Sequence, residues 1–157
     1  MKYNNLNIYN NLIKLTRNKK LYINLEKNDT FNERLVFLFF HLSIFLKHFK
    51  KSIPPNNLQE LFDFIIKQIE LSIREIGYGD VIVNKKMKDY INLFYYITKE
   101  IEKSEFNNKK NQLPIIKKFL NTDKNLDFYA DYFNKYRLFI AKNTLNTFTK
   151  DILNLNF

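Results

Sequence analysis

Apolar residues recur at helical spacing along almost the whole chain, and no stretch shows strict alternation bounded by hairpin turn residues. The densest block is "LVFLFFHLSIFL", residues 35–46, which is apolar nearly all round the helix and is preceded by Thr30-Phe-Asn-Glu33, the spacing of a capping box. This predicts a helix from about Phe31 to Phe49, with Asp29 beside its positive end. The apolar run falls short of the roughly 17–25 residues that a spanning helix needs, so it is expected in a core and not in a bilayer. Pro54 and Pro55 stop it.

The same logic organises the rest. Asn57 and Glu60 repeat the capping pattern, and Leu58, Leu61, Phe62, Ile65, Ile66, Ile69, Ile73 and Ile76 mark one apolar face. Gly77 lies one step past that face, where a left-handed cap favours glycine; Gly79 is expected to allow a second tight conformation, and Asp80 to cap the backbone that follows. The next helix is predicted from about Asn84 to Lys103, with Met87, Tyr90, Ile91, Phe94, Ile97 and Ile101 inward. A polar loop follows at 104–111, then a short helix with Pro114 in its first turn, ending near Leu120. A last stretch runs from about Leu126 to Leu153, with a break near Asn143, and Leu6, Tyr9, Leu12, Ile13 and Thr16 form an N-terminal helix. The expectation is all-α: residues 1–157 as a single globular helical domain of about five to seven helices.

Composition narrows the chemistry. The chain has no cysteine, which removes thiolate metal sites, disulfides and cysteine nucleophiles. His41 and His48 stand seven apart on one predicted helix, about 10 Å along its axis, too far to share a metal unaided. His41 reads as a buried, hydrogen-bonded histidine and His48 as solvent-facing. Two glycines cannot build a phosphate loop. No catalytic residue, metal ligand or cofactor site is nominated, and no enzyme is expected. Net charge is +10, with +6 in residues 1–50, zero in 51–104 and +4 in 105–157. Basic ends around a neutral middle suit an anionic neighbour, either a membrane surface or RNA, unless lysine is simply the default surface residue. Among 26 basic residues only Arg17, Arg34, Arg74 and Arg137 are arginines. Arg34 is expected to lock neighbouring elements, while Arg74 reads equally as a lock or as a partner contact. No signal peptide is expected, since residues 1–24 lack an apolar core and a cleavage pattern.

Three stretches taken together, "DTFNERLVFLFFHLSIFLK" (29–47), "QELFDFIIKQIELSIREIGYGD" (59–80) and "VIVNKKMKDYINLFYYI" (81–97), resemble the ubiquinol–cytochrome c chaperone family. The resemblance is carried by Asp29, Thr30, Arg34 and the helical His41; by Gln59, Leu61, Phe62 and Asp63; by Arg74, Glu75, Gly77, Gly79 and Asp80; and by Val83, Lys85, Lys86, Phe94 and Tyr95. Leu35 stands where the family shows Phe. The resemblance implies an all-α, non-catalytic chaperone that binds newly made cytochrome b and supports assembly of respiratory complex III. In eukaryotic members it implies a small partner protein and a place near the mitochondrial ribosome exit, in the matrix. A bacterial member would work in the cytoplasm, peripheral to the inner face of the cytoplasmic membrane, with anionic lipid as a contact and no DNA partner. The corner Arg74, Gly79, Asp80, Lys85 and Lys86 is the expected client or partner surface, since polar corners between rigid helices position function at little entropy cost. Asp29, Thr30, Glu33, Arg34 and Gly77 are expected to be structural. The alternative is a basic helical RNA- or ribosome-binding protein that uses the lysines and aromatics of "KKMKDYINLFYY" (85–96) on an exposed face.

Overall fold

Every residue from Leu35 to Phe45 is buried, so the middle of the helix that carries them, α2 (Phe31–Phe49), has neighbours on all sides. The computed structural model describes residues 4–23, 25 and 30–150, and among these seven α-helices and one 3-10 turn (Lys19–Leu21) form a single all-α body. Around α2 stand α1 (Asn5–Thr16), α3 (Pro55–Ile76), α4 (Asp80–Lys103), α5 (Lys109–Leu120), α6 (Leu126–Lys142) and α7 (Leu145–Lys150). The largest interfaces of α2 are with α4 and α1, and smaller ones are made with α6 and α5. Helix α3 packs on α4 and α1, α5 pairs with α6, and α7 rests on α1. The α1–α7 contact is polar as well as apolar: Asn7 Nδ2 donates to the carbonyls of Thr149 and Lys150 at 2.8 and 2.9 Å, and buried Asn11 Nδ2 donates to that of Phe148 at 3.0 Å. Orphan carbonyls at the end of a short helix are thereby satisfied.

Aromatic rings fill the centre. Phe40 stacks on Phe133 at 5.1 Å and meets Phe119 edge-on at 6.0 Å, while Phe37 lies edge-on to Tyr22 at 5.1 Å. The tyrosine hydroxyls and the histidine inside this core are paired. Tyr129 donates its hydroxyl to the Leu21 carbonyl at 2.8 Å, and Tyr136 donates to the His41 carbonyl at 2.9 Å. His41 Nδ1 faces the Phe37 carbonyl and Nε2 faces the Tyr132 hydroxyl, both at 2.6 Å. A carbonyl can only accept, so Nδ1 carries the proton and Tyr132 donates to Nε2. Burial lowers the His41 pKa to about 4 and pushes that of Tyr129 up to about 12, with Tyr132 and Tyr136 also raised, so the ring stays neutral and the phenols stay protonated.

The start of α2 is as expected, with Thr30 Oγ1 accepting from the Glu33 amide at 3.4 Å. Glu33 does not return the bond to complete a capping box; its Oε2 is buried with no hydrogen-bond partner among the described residues. Asp29 and residues 151–157, including the predicted end of the last helix, lie outside the described residues. Helix α3 begins at Pro55 with Pro54 as its N-cap, not at Asn57, because proline's fixed φ already suits a first helical turn. Helix α4 begins at Asp80, four residues before Asn84, and Gly79 caps it. Helix α5 begins at Lys109, with Asn108 Oδ1 accepting from the Asn111 amide, so Pro114 sits inside the helix. Pro114 and Lys110, whose carbonyl loses its i+4 donor, are both exposed, which keeps that loss outside the core. The break near Asn143 is present, between α6 and α7.

His41 ties stability to pH. Its ordinary value is 6.5 and its folded value about 4, so between these limits the unfolded chain takes up a proton that the folded one refuses. This contribution is complete above pH 6.5 and is lost as pH falls toward 4, on the order of 1 kcal/mol per pH unit at most. Urea unfolding at pH 7.5, 6 and 5 should show it in the wild type. In His41→Gln, which keeps a donor and an acceptor but does not titrate, stability at pH 7.5 should be lower and the acid slope shallower; an unchanged slope would refute the assignment.

Candidate functional site

The first half of α2, the last half of α3 and one face of α1 do not close on one another. The gap is a cavity of about 550 Å³, floored by Ile13, Leu35, Leu38 and Ile69 and walled by Tyr9, Phe31 and Ile76. That volume lies within the roughly 300–1,000 Å³ typical of ligand sites. Its polar lining is cationic or neutral: Arg17, Lys19 and Arg34 stand there with Thr16, Ser72 and Tyr22, and no carboxylate does among the described residues. Tyr9 has a raised pKa, mainly through burial, with Arg17 opposing that shift and Glu75 adding to it. A second hollow of about 200 Å³ shares Phe31 and Ile76 with the first and adds Ile73, Tyr78, Lys86 and Tyr90. Sharing Phe31 and Ile76, they make one largely apolar groove with basic residues in the lining of each part.

The groove's origin is local. Helix α3 buries only the row Leu61, Ile65, Ile69 and Ile73, one residue per turn, and leaves Phe62 and Ile66 half-covered. Ile76, read from its spacing as inward, is 56 % exposed because α3 ends there and the chain turns away at Gly77.

Gly77 has φ +108° and ψ 10°, the left-handed cap expected, and its amide donates to the Arg74 carbonyl at 3.0 Å. Gly79 does not repeat this. Its φ of −76° and ψ of 168° are open to any residue, and a Cβ there would meet nothing within 4 Å. Asp80 opens the first turn of α4 and makes no cap; its carboxylate pairs instead with Arg74 Nη1. Arg74 also donates from Nε and Nη2 to Glu70 Oε1 at 3.2 and 3.1 Å, which holds α3 to the first turn of α4 across the corner. These pairs raise the pKa of Arg74, through Asp80 and then Glu70, and lower that of Glu70. Lys85 and Lys86 follow one turn into α4, with Lys86 Nζ 4.8 Å from the Tyr78 ring centre. The structure therefore gathers all five expected surface residues at one corner. Arg34 is exposed and lines the groove. The groove itself escapes sequence reading, since its walls come from three helices far apart in the chain.

Catalytic chemistry gains no support from the histidines. Both His41 nitrogens are engaged inside the core, and exposed His48 lies against Phe49. No metal-holding cluster occurs among the described residues. Lys47, whose pKa is lowered chiefly by burial, donates to the carbonyls of Ile101 and Ser104 at 3.0 and 3.1 Å and thus closes the end of α4. Of the four aromatics in 85–96, Phe94 is buried against Phe39 and Phe62 and Tyr90 packs on Phe31, while Tyr95 and Tyr96 are exposed, each with one face or edge against a neighbouring ring, Phe62 and Phe119.

A protein-family model described as "Ubiquinol-cytochrome C chaperone" matches residues 24–116, more than half of the chain. The matched segment spans α2, α3, α4 and most of α5, and so contains the α2 and α3 walls of the groove and the whole Gly77–Asp80 corner. No curated protein and no solved structure matches.

The two glycines should separate cleanly. Gly77→Ala places a side chain at positive φ and should cost roughly 1 kcal/mol or more, although no atom clashes with it. Gly79→Ala should stay within about 0.5 kcal/mol, since a weaker N-cap is offset by a less flexible unfolded chain. Urea midpoints of both variants check this, and equal losses would contradict it.

Proposed function

The chain belongs to the ubiquinol–cytochrome c chaperone family, and from that premise we propose that it is a non-catalytic binder of newly made cytochrome b, which it holds while ubiquinol–cytochrome c reductase (complex III) assembles. The observation that carries the reading is the groove of α1, α2 and α3. A client built of membrane helices presents apolar side chains before it is inserted, and the groove's floor of Ile13, Leu35, Leu38 and Ile69 offers them an apolar surface. Its basic rim sets an orientation. Arg17 and Lys19 attract the carboxyl end of a client helix, where unpaired carbonyls carry partial negative charge, and repel the lysine- and arginine-rich cytoplasmic loops of a membrane protein. Binding of this kind needs neither cofactor nor metal. It is also reversible by design, because the groove is open and small beside an obligate interface.

Among the described residues no helix is long and apolar enough to cross a membrane.

Deleting the gene should lower spectroscopic haem b and complex III activity while other respiratory complexes remain near normal. Complementation with Arg17→Glu/Lys19→Glu, exposed positions whose change reverses the rim charge, should recover cytochrome b several-fold less well per folded molecule at an unchanged melting temperature. Normal complex III in the deletion strain would sink the functional assignment. Full rescue by the charge-reversed variant would instead place the client elsewhere on the molecule.

A further inference from the structure

The turn from α3 to α4 exposes four large apolar side chains within seven residues: Ile76 at 56 %, Tyr78 at 39 %, Val81 at 84 % and Ile82 at 48 %. Single exposed apolar residues are ordinary, but a cluster at the tip of a helical hairpin is not. The tip is also rigid. Gly77 caps α3, Arg74 bridges Glu70 and Asp80, and α3 packs along α4 behind it, so these side chains cannot fold back to cover themselves.

Charge is layered behind the apolar tip. Val81 and Lys85, and likewise Ile82 and Lys86, are four residues apart on α4, so each lysine stands about 6 Å behind an apolar residue on the same helical face. Lys88 extends the Val81–Lys85 row. Acids stand close by: Glu70 and Asp80 share the single Arg74 guanidinium, Glu75 precedes the tip and Asp89 extends the Ile82–Lys86 row, so residues 70–89 are neutral in sum and the lysines count by their place behind the apolar side chains. Tyr78, with its ring under Lys86 Nζ, sits between the two layers. An aliphatic tip, an aromatic collar and a ring of lysines match, in order of depth, the hydrocarbon, interface and phosphate layers of a bilayer.

We propose that this corner is a membrane foothold: Ile76, Val81 and Ile82 enter the outer hydrocarbon of an anionic bilayer, while Lys85, Lys86 and Lys88 lie at the lipid phosphates. Lys85 and Lys86, expected from the sequence to face a client, then face lipid. Lysines held at the phosphates favour an anionic leaflet, by up to about 1 kcal/mol each before the nearby acids subtract from it, and the apolar tip makes attachment less sensitive to salt than charge alone would be. The foothold does not depend on the identity of the client.

The chain has no tryptophan, so one introduced at the tip is a unique reporter. The Val81→Trp variant should bind phosphatidylcholine vesicles containing phosphatidylglycerol with a blue-shifted emission, and pure phosphatidylcholine vesicles far less. Leu138→Trp, at an exposed position on α6, should show no shift on the same vesicles. In co-sedimentation, Val81→Ser/Ile82→Ser should reduce binding about tenfold, and Lys85→Gln/Lys86→Gln/Lys88→Gln should abolish the preference for anionic lipid, both at unchanged melting temperature. The proposal is overturned if the wild type fails to bind anionic vesicles, if the Val81→Trp variant binds them with its emission unchanged, or if Val81→Ser/Ile82→Ser binds as well as wild type. Loss of cytochrome b recovery by that serine variant without vesicle binding in the wild type would overturn it too, and would make the corner a client surface.

Discussion

Eleven successive buried residues in the middle of α2, Leu35 to Phe45, set the terms for the other helices. A helical stretch that is apolar on every face cannot rest on a surface; it must be surrounded, and its neighbours must supply partners for the few polar groups it carries inside. Helix α6 does this with tyrosines, sending Tyr132 to the His41 ring and Tyr136 to the His41 carbonyl, while α4 meets Ser43 through Thr98 at 2.9 Å. These bonds fix the rotation of α6 and α4 about α2, because each donor reaches its acceptor at only one helical phase. The aromatic packing then fills the space that rotation defines.

What α2 does not determine is α3. That helix leans on α4 and α1, and its burial stops at one residue per turn, so the space between α3 and the first half of α2 remains as the groove. The same geometry leaves the end of α3 and the beginning of α4 projecting past the core. One packing choice thus produces both unusual surfaces: a basic-rimmed apolar groove and an apolar-tipped corner with lysines behind it, joined at Ile76. For a protein of this family the juxtaposition is economical, since a client released from the groove would already be beside the bilayer.

Much of this was legible in the sequence. The phase of α2, the role of Gly77 and the buried state of His41 follow from local pattern, because each is set by residues within a turn or two. The first turn of α4 was missed for an instructive reason. Val81 and Ile82 are apolar yet face solvent, and periodicity counts apolar residues without knowing which are exposed. The caps at Pro54 and Gly79 were missed because neither uses a side chain, and Pro114 drew the start of α5 toward itself although an exposed helix face tolerates it. The groove was out of reach, since Tyr9, Leu35 and Ile69 become neighbours only through tertiary packing.

If the α1–α2–α3 groove holds the client, a cross-linker placed inside it will capture that client. Ser72 is half-buried in the groove wall, so a photo-activated amino acid placed there reaches whatever lies in the cavity without replacing an apolar contact. Irradiating cells that carry this variant should yield an adduct containing cytochrome b, absent when the same group is placed at exposed Leu138 on α6, which does not line the groove. An adduct pattern at Ser72 no different from that at Leu138, or one lacking cytochrome b, would contradict the account.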